Sequence, residues 1–286
     1  MAEEKNKVQA STLYLVGTPI GNMADLSERA KKVLSEVDFI AAEDTRNSYK
    51  LLSLIGVQKE LVSYHEHNKK SAGERLVARL LAGESCALIT DAGMPAISDP
   101  GEDLVRLCAE SGVTVSCVPG PSAVVSALAM SALPTRKFAF EGFLSAKASE
   151  RKRELEEVKQ EHRTLVFYEA PHKLRATLSD MCEILGGERK ISLCREITKL
   201  NEEVVRLTLD KAVVYYEANE PRGEFVIIVE GASKDTVSDE KQDLLSLSPE
   251  EHITHYIDQG LSKMDAIKAA AKDRGISKSE MYKYSL

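Results

Sequence analysis

The sequence predicts two α/β domains followed by a small helical module, on three observations. Short apolar runs alternate with amphipathic segments through residues 1–134, the pattern of parallel βαβ units with right-handed crossovers. Over 135–231 strands begin to follow one another with fewer helices between them, so a second α/β domain with a mixed sheet is expected there. Residues 232–247 are polar and acidic and read as a linker, and 248–286 holds three short helical patterns.

In the first domain the expected order is strand 12–16, helix 27–37, strand 39–42, helix 46–55, strand 60–64 and helix 72–81. Strand 86–89, helix 102–111, strand 113–118 and helix 122–132 complete it, and Leu133-Pro134-Thr135 interrupts the pattern. The second domain is expected to run strand 137–140, a charged helix 149–161, strand 164–168, and helix 172–185 closed by Gly186-Gly187. Strands 190–194, 204–209 and 224–229 follow, with helix 211–218 between the last two. In the tail, helices 250–258, 263–273 and 278–284 are separated by Gly260 and Gly275, which suggests a helix-turn-helix. Residues 263–283 carry six Lys or Arg against three acids. Such a balance suits nucleic-acid contact and a solvated helix face equally.

Composition narrows the classes. At 286 residues, 43% hydrophobic and 29% charged, the chain has enough apolar residues for two cored domains. No apolar run reaches about 18 residues and the first ten residues are polar, so neither a membrane span nor a signal peptide is expected, and a cytoplasmic location is. Cys86, Cys108, Cys117, Cys182 and Cys194 show no C-x-x-C spacing and read as buried free thiols rather than a zinc site. His65 and His67 form a lone H-x-H without an evident third ligand, so no metal is expected. A net charge of -7 argues against an overall basic surface but leaves room for a local nucleic-acid track.

The chemistry is expected in the loops at strand ends. Residues 90–101, Thr-Asp-Ala-Gly-Met-Pro-Ala-Ile-Ser-Asp-Pro-Gly, place two Gly, two Pro and two Asp between a strand and a helix. A βα connection usually needs only about two to six residues, and in open α/β sheets ligands bind beyond the carboxyl ends of the strands. Asp99 precedes Pro100 at a helix start and reads as a cap, whereas Asp91 at the strand end is placed to face a ligand. Gly17-Thr18-Pro19-Ile20-Gly21-Asn22, Glu43-Asp44-Thr45-Arg46 and Pro119-Gly120-Pro121-Ser122-Ala123 end three neighbouring strands and would line one crevice with Asp91. Asp44 and Ser122 also have plain readings as helix caps. Neither G-x-G-x-x-G nor a P-loop occurs, so ordinary dinucleotide and nucleotide triphosphate sites are disfavoured. The second domain adds Tyr168-Glu169-Ala170-Pro171-His172, Arg195-Glu196 and Arg222-Gly223-Glu224 at its own strand ends. Charged side chains there often form only surface pairs.

These motifs, with Glu141-Gly142-Phe143 and in this order, resemble the ribosomal RNA small subunit methyltransferase I family within the wider tetrapyrrole methylase superfamily. The resemblance runs from Leu13 to about Gly231, and the helical tail is similar to the family's C-terminal module. It implies two α/β domains of the tetrapyrrole methylase type with a cofactor cleft between them. S-adenosylmethionine would lie there against Pro19, Asp91, Gly93, Met94, Ile97, Ser122, Ala123, Tyr168 and Gly223. It also implies a homodimer that methylates the ribose 2′-oxygen of a cytidine in the decoding region of 16S rRNA, with the assembled small subunit as substrate. A ribose hydroxyl is a weak nucleophile until its proton leaves, so a carboxylate helper is expected among Glu43, Asp44, Asp91 and Glu169. Arg46, Arg195 and Arg222 are the candidate RNA contacts.

Two rivals accompany that reading. The superfamily also contains porphyrinoid methyltransferases, and fold does not fix substrate. A ligand-sensing regulator that binds DNA through the tail would need a basic recognition helix, which the tail lacks in obvious form.

Overall fold

The structure is a computed structural model describing residues 7–233 and 244–284; residues 234–243, most of the expected linker, lie outside the described residues. The first half forms one parallel sheet from β1 (Thr12–Val16), β2 (Phe39–Ala42), β3 (Glu60–Ser63), β4 (Cys86–Ile89) and β5 (Thr114–Val118), in the order β3-β2-β4-β1-β5. Every residue of β2 and β4 is buried, as continuous apolar runs in a sheet covered on both faces should be. The period-two alternation sorts Phe39, Ala41, Cys86 and Leu88 onto one face and Ile40, Ala42, Ala87 and Ile89 onto the other. Helices α3 (Lys69–Leu81) and α4 (Gly101–Glu110) cover the first face through Leu76, Leu80 and Leu104. Helices α1 (Glu28–Glu36) and α2 (Thr45–Leu54) cover the second through Val33, Leu34 and Leu52. β5 is an edge strand, which leaves Cys117 exposed; the expectation of buried thiols fails there, while Cys86, Cys108 and Cys194 are buried.

The second sheet is mixed, as expected. It contains β6 (Phe138–Phe143), β7 (Thr164–Glu169), β8 (Lys190–Arg195), β9 (Glu203–Thr208) and β10 (Phe225–Val229) in the order β6-β7-β10-β8-β9. Only β6 and β7 run parallel. One face carries α6 (Ala148–Glu157), α7 (Pro171–Leu185) and α8 (Leu209–Ala218). The other face receives α5 (Ala123–Met130), which belongs in sequence to the first half: Val124, Ala127 and Leu128 pack against Val166, Cys194, Val226 and Ile228. That explains why α5 reads AVVSALAM, with scarcely a polar side. Three elements differ by three residues or more from the sequence expectation, and one of them is α3, which starts at Lys69 rather than 72. α6 stops at Glu157 rather than 161, and the Glu161 carboxylate takes the Arg163 N–H at 2.8 Å and pairs with its guanidinium. β6 runs on to Phe143 by means of a bulge between Phe140 and Gly142. Among the described residues no helix is long and apolar enough to cross a membrane.

In the tail, α9 (Pro249–Asp258), α10 (Lys263–Arg274) and α11 (Lys278–Tyr282) enclose Ile253, Ala266, Ile267, Ala270, Ala271 and Met281. Ser248 and Glu251 form a reciprocal capping box, Ser262 and Ser277 cap the next two helices, and Gly275 ends α10 in the left-handed conformation. His252 is fully buried in this module. Arg274 Nε donates to His252 Nδ1 at 3.0 Å, and His252 Nε2 faces Asp273 Oδ2 at 3.4 Å. A guanidinium can only donate, so Nδ1 must accept and the ring must be neutral. Burial, and then the Arg274 charge, hold the His252 pKa below the ordinary imidazole value. The folded module therefore takes up a proton less readily than the unfolded chain. Its stability is complete above the unfolded value of about 6.5 and is lost as pH falls toward the lower folded one. Hydrogen-exchange protection of residues 249–282 should drop as pH falls below about 6.5, and His252→Gln should flatten that dependence.

Candidate active site

The carboxyl ends of the first sheet's strands face the second sheet across a cleft of about 480 Å³, within the usual range for small-molecule sites. The 90–101 loop forms much of one wall. Its shape is held by Asp99, whose carboxylate accepts from the N–H groups of Ala96 (3.0 Å), Ile97 (3.3 Å) and Gly101 (2.7 Å). Ala96 and Ser98 are left-handed at φ 67 and 62. Non-glycine residues in that region cost about 1–3 kcal/mol each and persist where the surroundings over-determine them. Gly93, at φ 85, exchanges two backbone hydrogen bonds with Thr18, of 2.9 and 3.1 Å. The Thr18 hydroxyl also donates to the Thr90 carbonyl at 3.2 Å, which ties the β1 loop to the β4 loop. Gly17 and Gly120 make the loops after β1 and β5 touch backbone to backbone.

Asp91, Gly93, Met94, Ile97, Ser122, Ala123, Tyr168, Glu43 and Glu169 all line this cleft. Their surroundings differ. The Glu43 carboxylate is exposed and accepts from Thr90 Oγ1 at 3.0 Å, and Asp91 accepts from Asn47 Nδ2 at 3.1 Å. Ser122 is the N-cap of α5 but makes no side-chain capping bond, so its hydroxyl is not committed to the helix. Burial raises the Tyr168 phenol. Glu169, 2% exposed, is enclosed by partners: Ala170 N–H at 2.8 Å, Thr177 Oγ1 at 2.5 Å and Lys173 Nζ at 3.2 Å.

The remaining expected site residues do not line the cleft. Asp44 caps α2 through Arg46 N–H and pairs with the Arg46 guanidinium at 2.8 Å. Hydrogen bonds from Arg46 hold its pKa down to about 2. Arg195 pairs with Glu203 and Arg222 with Glu220. Pro19 stands beside the lining residue Ile20. Gly223 sits behind Glu196, whose side chain lies 2.5 Å from where a Cβ on Gly223 would be.

Among the cleft residues that the sequence reading did not assign to the site are Lys199 and Phe143. Lys199 lies 2.9 Å from both Glu196 and Glu224. Burial opposes its charge, but the two carboxylates outweigh this and raise its pKa; burial likewise opposes ionisation of Glu196, and Lys199 reverses the balance. Phe143 lines the cleft with 58% of its surface exposed. Glu141-Gly142-Phe143 was a visible motif without a visible role, whereas Lys199 sits in an irregular connection that carries no pattern. Among the described residues no group of three His, Cys, Asp or Glu side chains is placed to hold a metal ion.

The model of the tetrapyrrole (corrin/porphyrin) methylases matches residues 12–213. The ribosomal RNA small subunit methyltransferase I of Halalkalibacterium halodurans is 49% identical over 271 residues, spanning 95% of this chain and 93% of that one. The chain belongs to the ribosomal RNA small subunit methyltransferase I family. The Bacillus subtilis member is 44% identical over 96% of this chain and 94% of its own. Among solved structures, a uroporphyrin-III-C-methyltransferase from Thermus thermophilus matches with a TM-score of 0.55 at 20% identity, covering 76% of this chain and 94% of that one. At that identity the likeness speaks to fold. Membership in the family accounts for the absence of a Rossmann glycine fingerprint from the sequence.

Proposed function

We propose that this chain transfers a methyl group from S-adenosylmethionine to the ribose 2′-oxygen of a decoding-region cytidine in 16S rRNA, acting on the small ribosomal subunit in the cytoplasm. The observation that carries this reading is the near-full-length identity of 49% to a protein named for that subunit's RNA. Fold alone would not separate it from a porphyrinoid methyltransferase, and the porphyrinoid likeness stands at 20% identity.

The cleft's residues suit the cofactor. Gly93, with the Ile20 side chain 3.3 Å from where its Cβ would stand, keeps the backbone open to close approach. Asp91 and the uncommitted Ser122 hydroxyl supply polar contacts, and Met94, Ile97, Ala123 and Tyr168 supply apolar wall. When bound, S-adenosylmethionine offers a methyl on a positively charged sulfur. The protein's task is to hold the ribose oxygen in line with that methyl and to accept its proton; alignment alone is worth up to about 7–11 kcal/mol in ideal cases. Among the expected helpers, Asp44 is spent on a cap and on Arg46, Glu169 on three partners, and Asp91, which accepts from Asn47, is given to the cofactor. Glu43 has one hydrogen bond, from Thr90, and an exposed carboxylate at the cleft, so we assign it the proton. Residues 248–286 act as a separate module whose basic residues add backbone contacts to RNA, and the working unit is a homodimer, as the resemblance implies.

The test is incubation with tritiated S-adenosylmethionine and small subunits from a strain lacking the modification. The expected product carries label at one cytidine whose 3′ linkage resists alkali, because a methylated 2′-oxygen cannot attack the adjacent phosphate. Label on a base with normal alkaline cleavage defeats the ribose assignment. Methylation of a porphyrinogen in place of RNA defeats the whole reading.

A further inference from the structure

We propose that Phe143 is the platform on which the base of the target nucleotide stacks, an inference that rests on the RNA methyltransferase reading above. In a regular strand, residues three apart point to opposite faces. β6 breaks that rule: Phe140 pairs with Val166, Gly142 with Phe167 and Phe143 with Tyr168, so Glu141 is the extra residue of a bulge. The bulge puts Phe140 and Phe143 on the same side as Tyr168. The three rings form a row, with Phe140 edge-on to Tyr168 at 5.0 Å and Tyr168 tilted against Phe143 at 5.3 Å. Phe140 and Tyr168 pack into the apolar layer between the sheets, and Phe143 is the outer ring.

That outer ring is positioned by its neighbours yet largely exposed. Lys173 Nζ lies over it at 5.5 Å and is itself anchored to Glu169 at 3.2 Å. Gly142, at φ 68, brings the strand so close to the 90–101 loop that a Cβ there would stand 3.0 Å from Ser98 Oγ. Phe143 therefore stands next to the loop that carries Asp91. Its 58% exposure marks the open edge of the cleft, whereas Gly93 and Ser122, which we give to the cofactor, are more deeply buried. Single-stranded nucleotides can be splayed out and stacked on aromatic side chains, and every base offers a π-face to such a platform. Phe143 and Glu43 line the same cleft, so a base on Phe143 would bring its own ribose into the space that Glu43 borders.

Full-length Phe143→Ala, Phe143→Leu and Phe143→Tyr distinguish stacking from mere apolar bulk and from cofactor contact. Two quantities are read: affinity for S-adenosylmethionine by calorimetry without RNA, and kcat/KM for labelling unmodified small subunits. Stacking predicts a loss of roughly 10- to 100-fold in kcat/KM for both the Ala and the Leu variant, the range of one base–aromatic contact. Cofactor affinity should stay within about twofold of wild type in all three, and Phe143→Tyr should restore labelling. Parallel weakening of cofactor binding would place the ring on the cofactor, and full activity of Phe143→Leu would reduce it to apolar bulk; either overturns the stack. If the wild-type chain binds cofactor but labels no ribosomal RNA, the functional reading falls and the stack with it. RNA labelling that Phe143→Ala leaves intact sinks the stack alone.

Discussion

Glu43→Gln should lower the turnover of small-subunit methylation by about 10²- to 10⁴-fold, the usual contribution of a positioned proton acceptor. The amide keeps the length of the side chain and can still accept from Thr90 Oγ1, now 3.0 Å from Glu43 Oε2. What it loses is basicity. Because the exposed carboxylate stands clear of any structural duty besides that bond, cofactor affinity should hold within about twofold and the unfolding midpoint should not move. Asp44→Asn is the informative contrast. Asn caps helices about as well as Asp, so that variant should retain turnover even though Asp44 is Glu43's neighbour in sequence. Equal losses in the two variants, or a Glu43→Gln enzyme with normal turnover, would strip Glu43 of the role.

Gly17→Ala is expected to abolish measurable cofactor binding and to cost stability of about 1–3 kcal/mol, as overpacking a well-packed site does. The residue does not need glycine for its backbone angles; it needs the space. A Cβ at Gly17 would stand 2.6 Å from Gly120 Cα, 2.8 Å from Gly120 N and 2.7 Å from Met94 Sδ. The methionine can swing aside, but the backbone of the β5 loop cannot do so without carrying Ser122 and Ala123 with it. The Thr18–Gly93 pairing would transmit the same displacement to the loop after β4. Denaturant unfolding with and without S-adenosylmethionine reads both effects, and an unchanged midpoint together with unchanged affinity would mean that the two loops are not in mutual register.

The first sheet and its ligand-facing end were legible in the sequence because each carries a local signature. Fully buried strands such as FIAA and CALI are uniformly apolar, and Gly, Pro and Asp crowd into the loop 90–101 where the backbone must take unusual angles. Roles decided by tertiary placement were not legible. Arg46 reads as an RNA contact in the sequence, and only the structure shows its exposed guanidinium paired with Asp44 two residues earlier. Phe143 enters the cleft only because a bulge resets the strand's alternation, and nothing in Phe-Ala-Phe-Glu-Gly-Phe announces which residue will be the extra one. Lys199 has its pKa raised, against burial, by Glu196 and Glu224, one nearby and one 25 positions away. The all-round apolar character of α5 did signal burial on more than one side, without saying against what.

The seating of α5 against the second sheet also bears on how the chain is made. Val124, Ala127 and Leu128 find their partners on β7, β8 and β10, the last of which ends at Val229. A ribosome adding about 5–20 residues per second needs several seconds, on the order of ten, to synthesise the hundred or so residues between them. During that interval the first sheet can already be complete while an apolar helix stands uncovered on its flank. Nascent chains of this protein therefore pass through a stage at which a holdase chaperone has a ready foothold. Pausing between codons 130 and 229 should raise aggregation more than pausing before or after.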